Sequence, residues 1–146
     1  AVLAKHRNVS HISGTQMAAL TLNEAVDIAF DTFYDAPNFD LLDWNQLTAS
    51  VLDFAYNAGP RQAVKSLQRM VGVADDGEIG PYTARAYAEY IDSHGLVGAA
   101  KEWAAVRRAF YDHIIAVRPV NAKYRNGWTN RANSFLPGTA FWRGWA

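Results

Sequence analysis

The chain has 146 residues, which is the size of one domain or of two small lobes with a shared core. Hydrophobic residues make up 50% and charged residues 19%, so the chain can bury a core and is not intrinsically disordered. The absence of cysteine excludes disulfides, thiol catalysis and cysteine-bound zinc. No apolar run approaches the roughly 20 residues of a membrane helix.

The net charge of zero conceals a segregation of charge along the chain. Residues 1–100 contain 6 Lys/Arg and 12 Asp/Glu, a balance of −6, whereas residues 101–146 contain 8 and 2, a balance of +6. Either the acidic and basic parts pack against each other, or each faces a different part of a ligand. The neutral sum favours the first interpretation.

The hydrophobic pattern of the first half predicts three helices. Thr21 and Glu24 form a capping box that opens a helix ending near residues 36–37. A second helix is predicted to begin between Asp43 and Asn45, and Gly59–Pro60 ends it and starts a third. The predicted inward faces of the second and third helices are Leu47, Val51, Phe54, Ala58, Ala63, Leu67 and Met70.

The second half begins with a turn-rich loop over Gly72–Gly80 and continues with helices. One helix is predicted from Pro81 to Ser93, and a longer one from Leu96 to Arg118, with one or two short helices after Pro119. No strand-length alternation is present, so the prediction is an all-α fold of about seven helices. The predicted inward residues of the long helix are Leu96, Ala100, Trp103, Phe110, Ile114 and Val117.

Common catalytic and cofactor motifs are missing from the sequence. There is no Gly-x-Ser-x-Gly elbow, no His-Glu-x-x-His helix and no Gly-x-x-x-x-Gly-Lys loop. The four histidines lack metal-ligand spacing, and Asp75–Glu78 lacks the alternating oxygens of a calcium loop, so no metal or cofactor is expected. The carboxylates on one face of the first helix indicate a solvated face rather than an acid–base pair; they are Glu24, Asp27, Asp31 and Asp35.

Two polar and aromatic clusters are candidates for sugar binding. Tyr56 and Asn57 lie at a predicted helix end, where an amide suits hydroxyl or N-acetyl groups and a ring can stack on a sugar face. Trp128 and Arg131 form a similar group near the C-terminus. For both groups, capping or sealing the fold is an equally good interpretation of the chemistry. Nucleic acid is disfavoured, because the basic residues are dispersed and the acidic half would repel phosphates.

Several motifs together resemble a known family. They are Leu52-Asp53-Phe54-Ala55-Tyr56-Asn57-Ala58-Gly59-Pro60, Ala63-Val64-x-x-Leu67-Gln68-Arg69, Asp76-Gly77-x-Ile79-Gly80-Pro81-x-Thr83, Arg107-Arg108-x-Phe110-Tyr111 and Gly127-Trp128-x-x-Arg131. This pattern is similar to the peptidoglycan-binding half of glycoside hydrolase family 108, which comprises phage endolysins and secretion activator proteins. Residues 2–42 are similar to the second half of the family's catalytic region.

The resemblance implies a lysozyme-like helical fold and cleavage of the β-1,4 bond between N-acetylmuramic acid and N-acetylglucosamine. Residues 1–44 would be the remainder of the catalytic region and residues 45–146 a peptidoglycan-binding helical region, packed as one unit. The residues expected to contact the glycan are Asp53, Tyr56, Asn57, Trp128 and Arg131.

The family's catalytic glutamate lies in a His-Glu-Gly-Gly segment that this sequence does not contain. That segment would precede Ala1, and the chain has no initiator Met or signal-peptide core at its start, so we expect a shortened, processed or partly recorded muramidase. Glycoside hydrolysis needs a carboxylic acid that protonates the leaving oxygen, and such help contributes roughly 10²–10⁴-fold. We therefore expect this chain to bind glycan but hydrolyse it feebly.

Two alternatives remain open from the sequence. Ala55-Tyr56-Asn57-Ala58-Gly59 also resembles a stretch of the lytic transglycosylases, although their Glu-Ser and Gly-Leu-Met-Gln segments are missing. A non-catalytic peptidoglycan-binding or secretion-accessory module is the other alternative. Under each interpretation the expected partner is the peptidoglycan glycan strand, without nucleic acid or membrane insertion. For the endolysin-like form we expect a monomer in the periplasm or cell wall, released from the cytoplasm with the help of a holin.

Overall fold

Helices account for the architecture of the part of the chain that the computed structural model describes, residues 38–145. No β-strand occurs in that range, and the predicted all-α class is confirmed. The helix predicted to open at Thr21 and its row of carboxylates lie outside the described residues. The elements are a 3₁₀ helix at Phe39–Leu41, α1 at Gln46–Ala58, α2 at Pro60–Val71, α3 at Pro81–Val117, a 3₁₀ helix at Pro119–Tyr124, α4 at Arg125–Asn133 and α5 at Ala140–Arg143.

The boundaries of α1 and α2 follow from local residue chemistry. The side chain of Asn45 caps α1 by accepting a hydrogen bond from the Thr48 amide at 2.9 Å. Gly59, with a φ of 96°, ends α1, and Pro60 opens α2 at a position where its missing N–H has no helical partner. Gly72 then ends α2 in the left-handed region, at a φ of 84°.

The predicted stop at His94–Gly95 is a kink within α3. Gly95 has a φ of 75° and a ψ of 155°, a backbone conformation that is essentially restricted to glycine. The two helices predicted on either side of Gly95 are confirmed; they follow each other without an intervening loop, as the two arms of α3. The predicted count of about seven helices is slightly off, since residues 38–145 contain five α-helices.

The core lies where α1 is packed between α2 and the second arm of α3. Phe54 of α1 makes edge-on ring contacts with Trp103, Phe110 and Tyr111, at centroid distances of 5.7, 5.2 and 5.9 Å. The second arm of α3 is rotated from the predicted face, because Tyr111 and Ile115 are buried while Val117 is 65% exposed.

Candidate functional site

The centre of the candidate site is the buried carboxylate of Asp53 on α1. Its side chain is 1% exposed and accepts hydrogen bonds from two guanidinium groups. Arg107 Nη2 of α3 lies 2.9 Å from Oδ2, and Arg131 Nη2 of α4 lies 2.6 Å from Oδ1. These ion pairs join the acidic part of the sequence to its basic part and fix three helices relative to one another.

Arg107 is fully buried; both terminal nitrogens of its guanidinium are hydrogen-bonded, whereas its Nε has no partner among the described residues. Its Nη1 donates to the backbone oxygen and the hydroxyl of Ser50, at 3.3 and 3.2 Å. The guanidinium also lies over the rings of Phe54 and Phe135, at 5.2 and 5.7 Å from their centroids. The arrangement holds Arg107 rigidly, which is what a charge enclosed in a core requires.

A hydrogen-bonded chain leads from this ion-paired cluster to the protein surface. Arg107 Nη2 also donates to the Tyr111 hydroxyl at 3.0 Å, and that hydroxyl donates to Asn57 Oδ1 at 3.1 Å. Burial raises the pKa of the Tyr111 phenol, so the group keeps its proton and remains a donor at neutral pH. The amide of Asn57, an exposed residue at the end of α1, is therefore fixed in orientation from below.

Aromatic rings from α4 and the preceding 3₁₀ helix stand beside this amide. Trp128 stacks on Tyr111, with centroids 5.2 Å apart and planes inclined by 25°. Tyr124 follows at 5.3 Å from Trp128 and is 47% exposed, and the ammonium of Lys123 lies 5.2 Å from its ring centroid. The three rings form a stepped series that ends at the surface; we call Tyr111, Trp128 and Tyr124 the ring series.

A cavity of about 220 Å³ opens between Asn57, Tyr111 and Trp128, and we call it the amide cavity. Its polar groups are few and its walls are mostly apolar, which is the common composition of ligand pockets. Its lining consists of Asn57, Ala58, Phe110, Tyr111, Ile114 and Trp128.

The structure brings together some of the predicted site residues and separates others. Asn57 and Trp128 line the amide cavity, as neighbours across Tyr111. Asp53 and Arg131 lie beneath it, joined to each other, and the burial of Asp53 prevents direct contact with a ligand. Tyr56 does not line the cavity; it is partly buried against the hydrophobic core.

Sequence reasoning missed the role of Arg107 and Tyr111 in this site. The signal was present as a second stripe at i, i+4 spacing along the long helix, Trp103–Arg107–Tyr111, all of them buried. An arginine within an apolar stripe normally argues for a solvated face. Only the buried carboxylate of Asp53, more than 50 residues away, explains its inward position.

A second structured region is the loop between α2 and α3, which contains the Asp76–Thr83 motif. The buried amide of Gln68 organises it, because Nε2 donates to Asp76 Oδ1 at 2.9 Å and to Thr83 Oγ1 at 3.1 Å, and Oε1 accepts from the Gly77 amide at 2.9 Å. The Glu78 amide and the Gln68 side chain lower the pKa of Asp76 by hydrogen bonding to its carboxylate. The loop walls a cavity of about 400 Å³ beside Tyr82.

Within residues 38–145, no three His, Asp or Glu side chains are grouped closely enough to hold a metal ion. Within the same residues, no helix combines the length and the hydropathy that crossing a bilayer requires.

Comparison with known proteins shows what the two parts of the chain are similar to. Residues 1–59 match the family model of glycosyl hydrolase 108, and residues 62–133 match that of a predicted peptidoglycan domain. The two matches follow each other along the chain, and the resemblance carried by the sequence motifs is confirmed. The boundary predicted between residues 44 and 45 stays a prediction; the two matches meet between residues 59 and 62.

Among solved structures, the chain is similar to SagA from Brucella abortus. The two are 28% identical, the match covers 92% of this chain and 71% of that chain, and the TM-score is 0.64. A comparison with curated proteins gives no match.

Proposed function

We propose that this protein binds the glycan strand of peptidoglycan and that one sugar of the strand occupies the amide cavity. The observation that carries the proposal is the buried chain of bonds from Asp53 to Asn57, which fixes an exposed amide beside the ring series. An amide that both donates and accepts suits the N-acetyl and hydroxyl groups of these sugars. The exposed ring of Tyr124 adds a surface for the C–H face of a sugar.

The size of the amide cavity supports a single sugar as its occupant. At about 220 Å³ it is smaller than the roughly 300–1,000 Å³ of pockets that enclose drug-sized ligands. The strand would then continue over the neighbouring surface, with one ring anchored in the cavity. A peptidoglycan partner is consistent with a location in the cell wall or periplasm, and the match of residues 62–133 to a predicted peptidoglycan domain supports it.

For the reaction, we propose hydrolysis of the β-1,4 bond between N-acetylmuramic acid and N-acetylglucosamine. We propose that these 146 residues alone catalyse it only feebly. A glycosidase acid must reach the leaving oxygen. Asp53 is enclosed by two guanidiniums and does not reach the surface, and the family's His-Glu-Gly-Gly segment is missing from the sequence. A binding role without catalysis is the second candidate for this chain, and it rests on the same two observations.

Binding is tested by co-sedimentation with insoluble peptidoglycan. We expect Asn57→Ala and Trp128→Ala each to weaken retention about tenfold, since each removes part of the lining of the amide cavity. Tyr82→Ala is the matched control, because Tyr82 is 80% exposed and lies at the Asp76–Thr83 loop instead. Unchanged retention of both site variants would contradict the amide cavity as the site, and a loss with Tyr82→Ala would transfer it to the loop.

Catalysis is tested by the clearing of a cell-wall suspension. We expect a chain extended upstream through the His-Glu-Gly-Gly segment to clear the suspension and the 146-residue chain to do so feebly. Equal clearing by both would refute the assignment of the acid to that segment. Mass spectrometry of the products identifies the reaction, because 1,6-anhydro ends would indicate a lytic transglycosylase in place of a hydrolase.

A further inference from the structure

A second cavity, of about 420 Å³, lies on the other side of Phe110 from the amide cavity. It is formed where α2 faces the second arm of α3, and we call it the α2–α3 cavity. Phe110 lines both cavities, so the two are neighbours on the surface of the protein.

The chemistry of the α2–α3 cavity differs from that of the amide cavity. Its floor is aliphatic, made of Met70 and Val106 with the exposed Ala109 at the edge, and among its lining residues only the shared Phe110 carries a phenyl ring. Its rim carries Gln62, whose Nε2 donates to Ser66 Oγ at 3.0 Å and whose Oε1 remains able to accept. An aliphatic floor under an amide rim is suited to methyl side chains and a peptide backbone rather than to a ring rich in hydroxyls.

The charged residues at the rim point to an acidic ligand. Arg69 and His113 line the cavity, and no acidic residue does. Arg69 Nε pairs with Asp75 at 2.7 Å, but its guanidinium is 59% exposed and keeps further donors. His113 is exposed on α3. The cavity therefore offers an aliphatic floor with donors and positive charge at its edge.

We propose that the α2–α3 cavity takes the stem peptide that peptidoglycan carries on its N-acetylmuramic acid residues. This inference rests on the proposed function, because the peptide is attached to the sugar that would lie next to Phe110. Stem peptides combine alanine methyl groups with free carboxylates, which correspond to the aliphatic floor and to the Arg69–His113 edge. The protein would then distinguish peptide-bearing glycan from stripped glycan.

The test compares two soluble glycan fragments of equal length, one bearing stem peptides and one stripped of them by an amidase. Their affinities for the full chain are measured by calorimetry. We expect the peptide-bearing fragment to bind at least tenfold more tightly. Ala109→Glu, which adds a negative charge at the edge of the cavity, should remove this difference while leaving the affinity for the stripped fragment unchanged.

The matched control is Ala88→Glu, which adds the same charge to an exposed alanine on the first arm of α3, away from both cavities. It should behave as the unsubstituted chain, and circular dichroism checks that both variants fold. Equal affinity of the unsubstituted chain for the two fragments would overturn the stem-peptide assignment alone. Ala109→Glu weakening both fragments equally would also overturn it and indicate a second sugar. If neither fragment binds, the proposed function itself fails.

Discussion

Replacing Asp53 by Asn would test whether the ion-paired cluster holds the second half of the molecule together. The substitution preserves size but leaves Arg107, which is fully buried, and Arg131 without their shared carboxylate. Removal of one partner from a buried ion pair costs about 3–5 kcal/mol, because the remaining charge stays desolvated. For a chain of this length such a loss lowers Tm by about 10–15 °C.

The measurement is urea or thermal unfolding, with Asp75→Asn as the matched control. Asp75 also pairs with an arginine at 2.7 Å, but the two side chains are 46% and 59% exposed, so its loss should cost under about 1 kcal/mol. Because the cluster also orients Tyr111 and Asn57, glycan retention should fall with Asp53→Asn at temperatures where the variant remains folded. Equal, small losses of stability for Asp53→Asn and Asp75→Asn would refute the argument that burial makes the Asp53 ion pairs the more stabilising ones.

Three further predictions concern the scaffold. Gly95→Ala should lower the free energy of unfolding by about 1–3 kcal/mol, because alanine is strained at a φ of 75° and a ψ of 155°. Its control is Gly98→Ala, whose new Cβ would meet only His94 Cβ at 3.8 Å and which should raise the free energy of unfolding by up to about 1 kcal/mol. Similar values for the two variants in urea unfolding would contradict the assigned kink. Asn45→Ala should cost about 0.5–2 kcal/mol by removing the cap of α1, and an unchanged Tm would argue against the cap. The pKa of Asp76 is lowered in the folded state, so its ionised carboxylate stabilises the fold. This stabilisation is complete above the unfolded pKa of about 3.9 and is lost as the pH falls through the lower folded pKa. Asp76→Asn should therefore reduce stability near neutral pH but not at about pH 2, and a pH-independent difference in urea unfolding would contradict this linkage.

Helix boundaries were predictable from the sequence because they depend on single residues. Asn45, Gly59, Pro60 and Gly72 determine where α1 and α2 start and stop, through side-chain capping and backbone φ alone. The break at Gly95 was predicted for the same reason, because the non-helical backbone at that position is one that glycine adopts.

The site was predictable only in part because its organisation depends on distant contacts. Trp128 and Asn57 were chosen for side-chain chemistry, and they do share a cavity. Tyr56 and Asn57 are adjacent in the sequence, yet the roughly 100° turn per residue of a helix separates their directions. The inward position of Arg107 depends on Asp53, 54 residues earlier in the chain, so no local pattern could reveal it.

The bend at Gly95 also determines the outline of the protein. A straight helix of 37 residues would be about 55 Å long, at 1.5 Å per residue. A compact domain with as many residues as the described range has a radius of gyration of about 13 Å, which corresponds to a sphere about 34 Å across. A straight rod would leave about 20 Å of its length projecting into water with one apolar side uncovered. One residue without a side chain thus lets a segment longer than the molecule's own diameter fold back and lie against it.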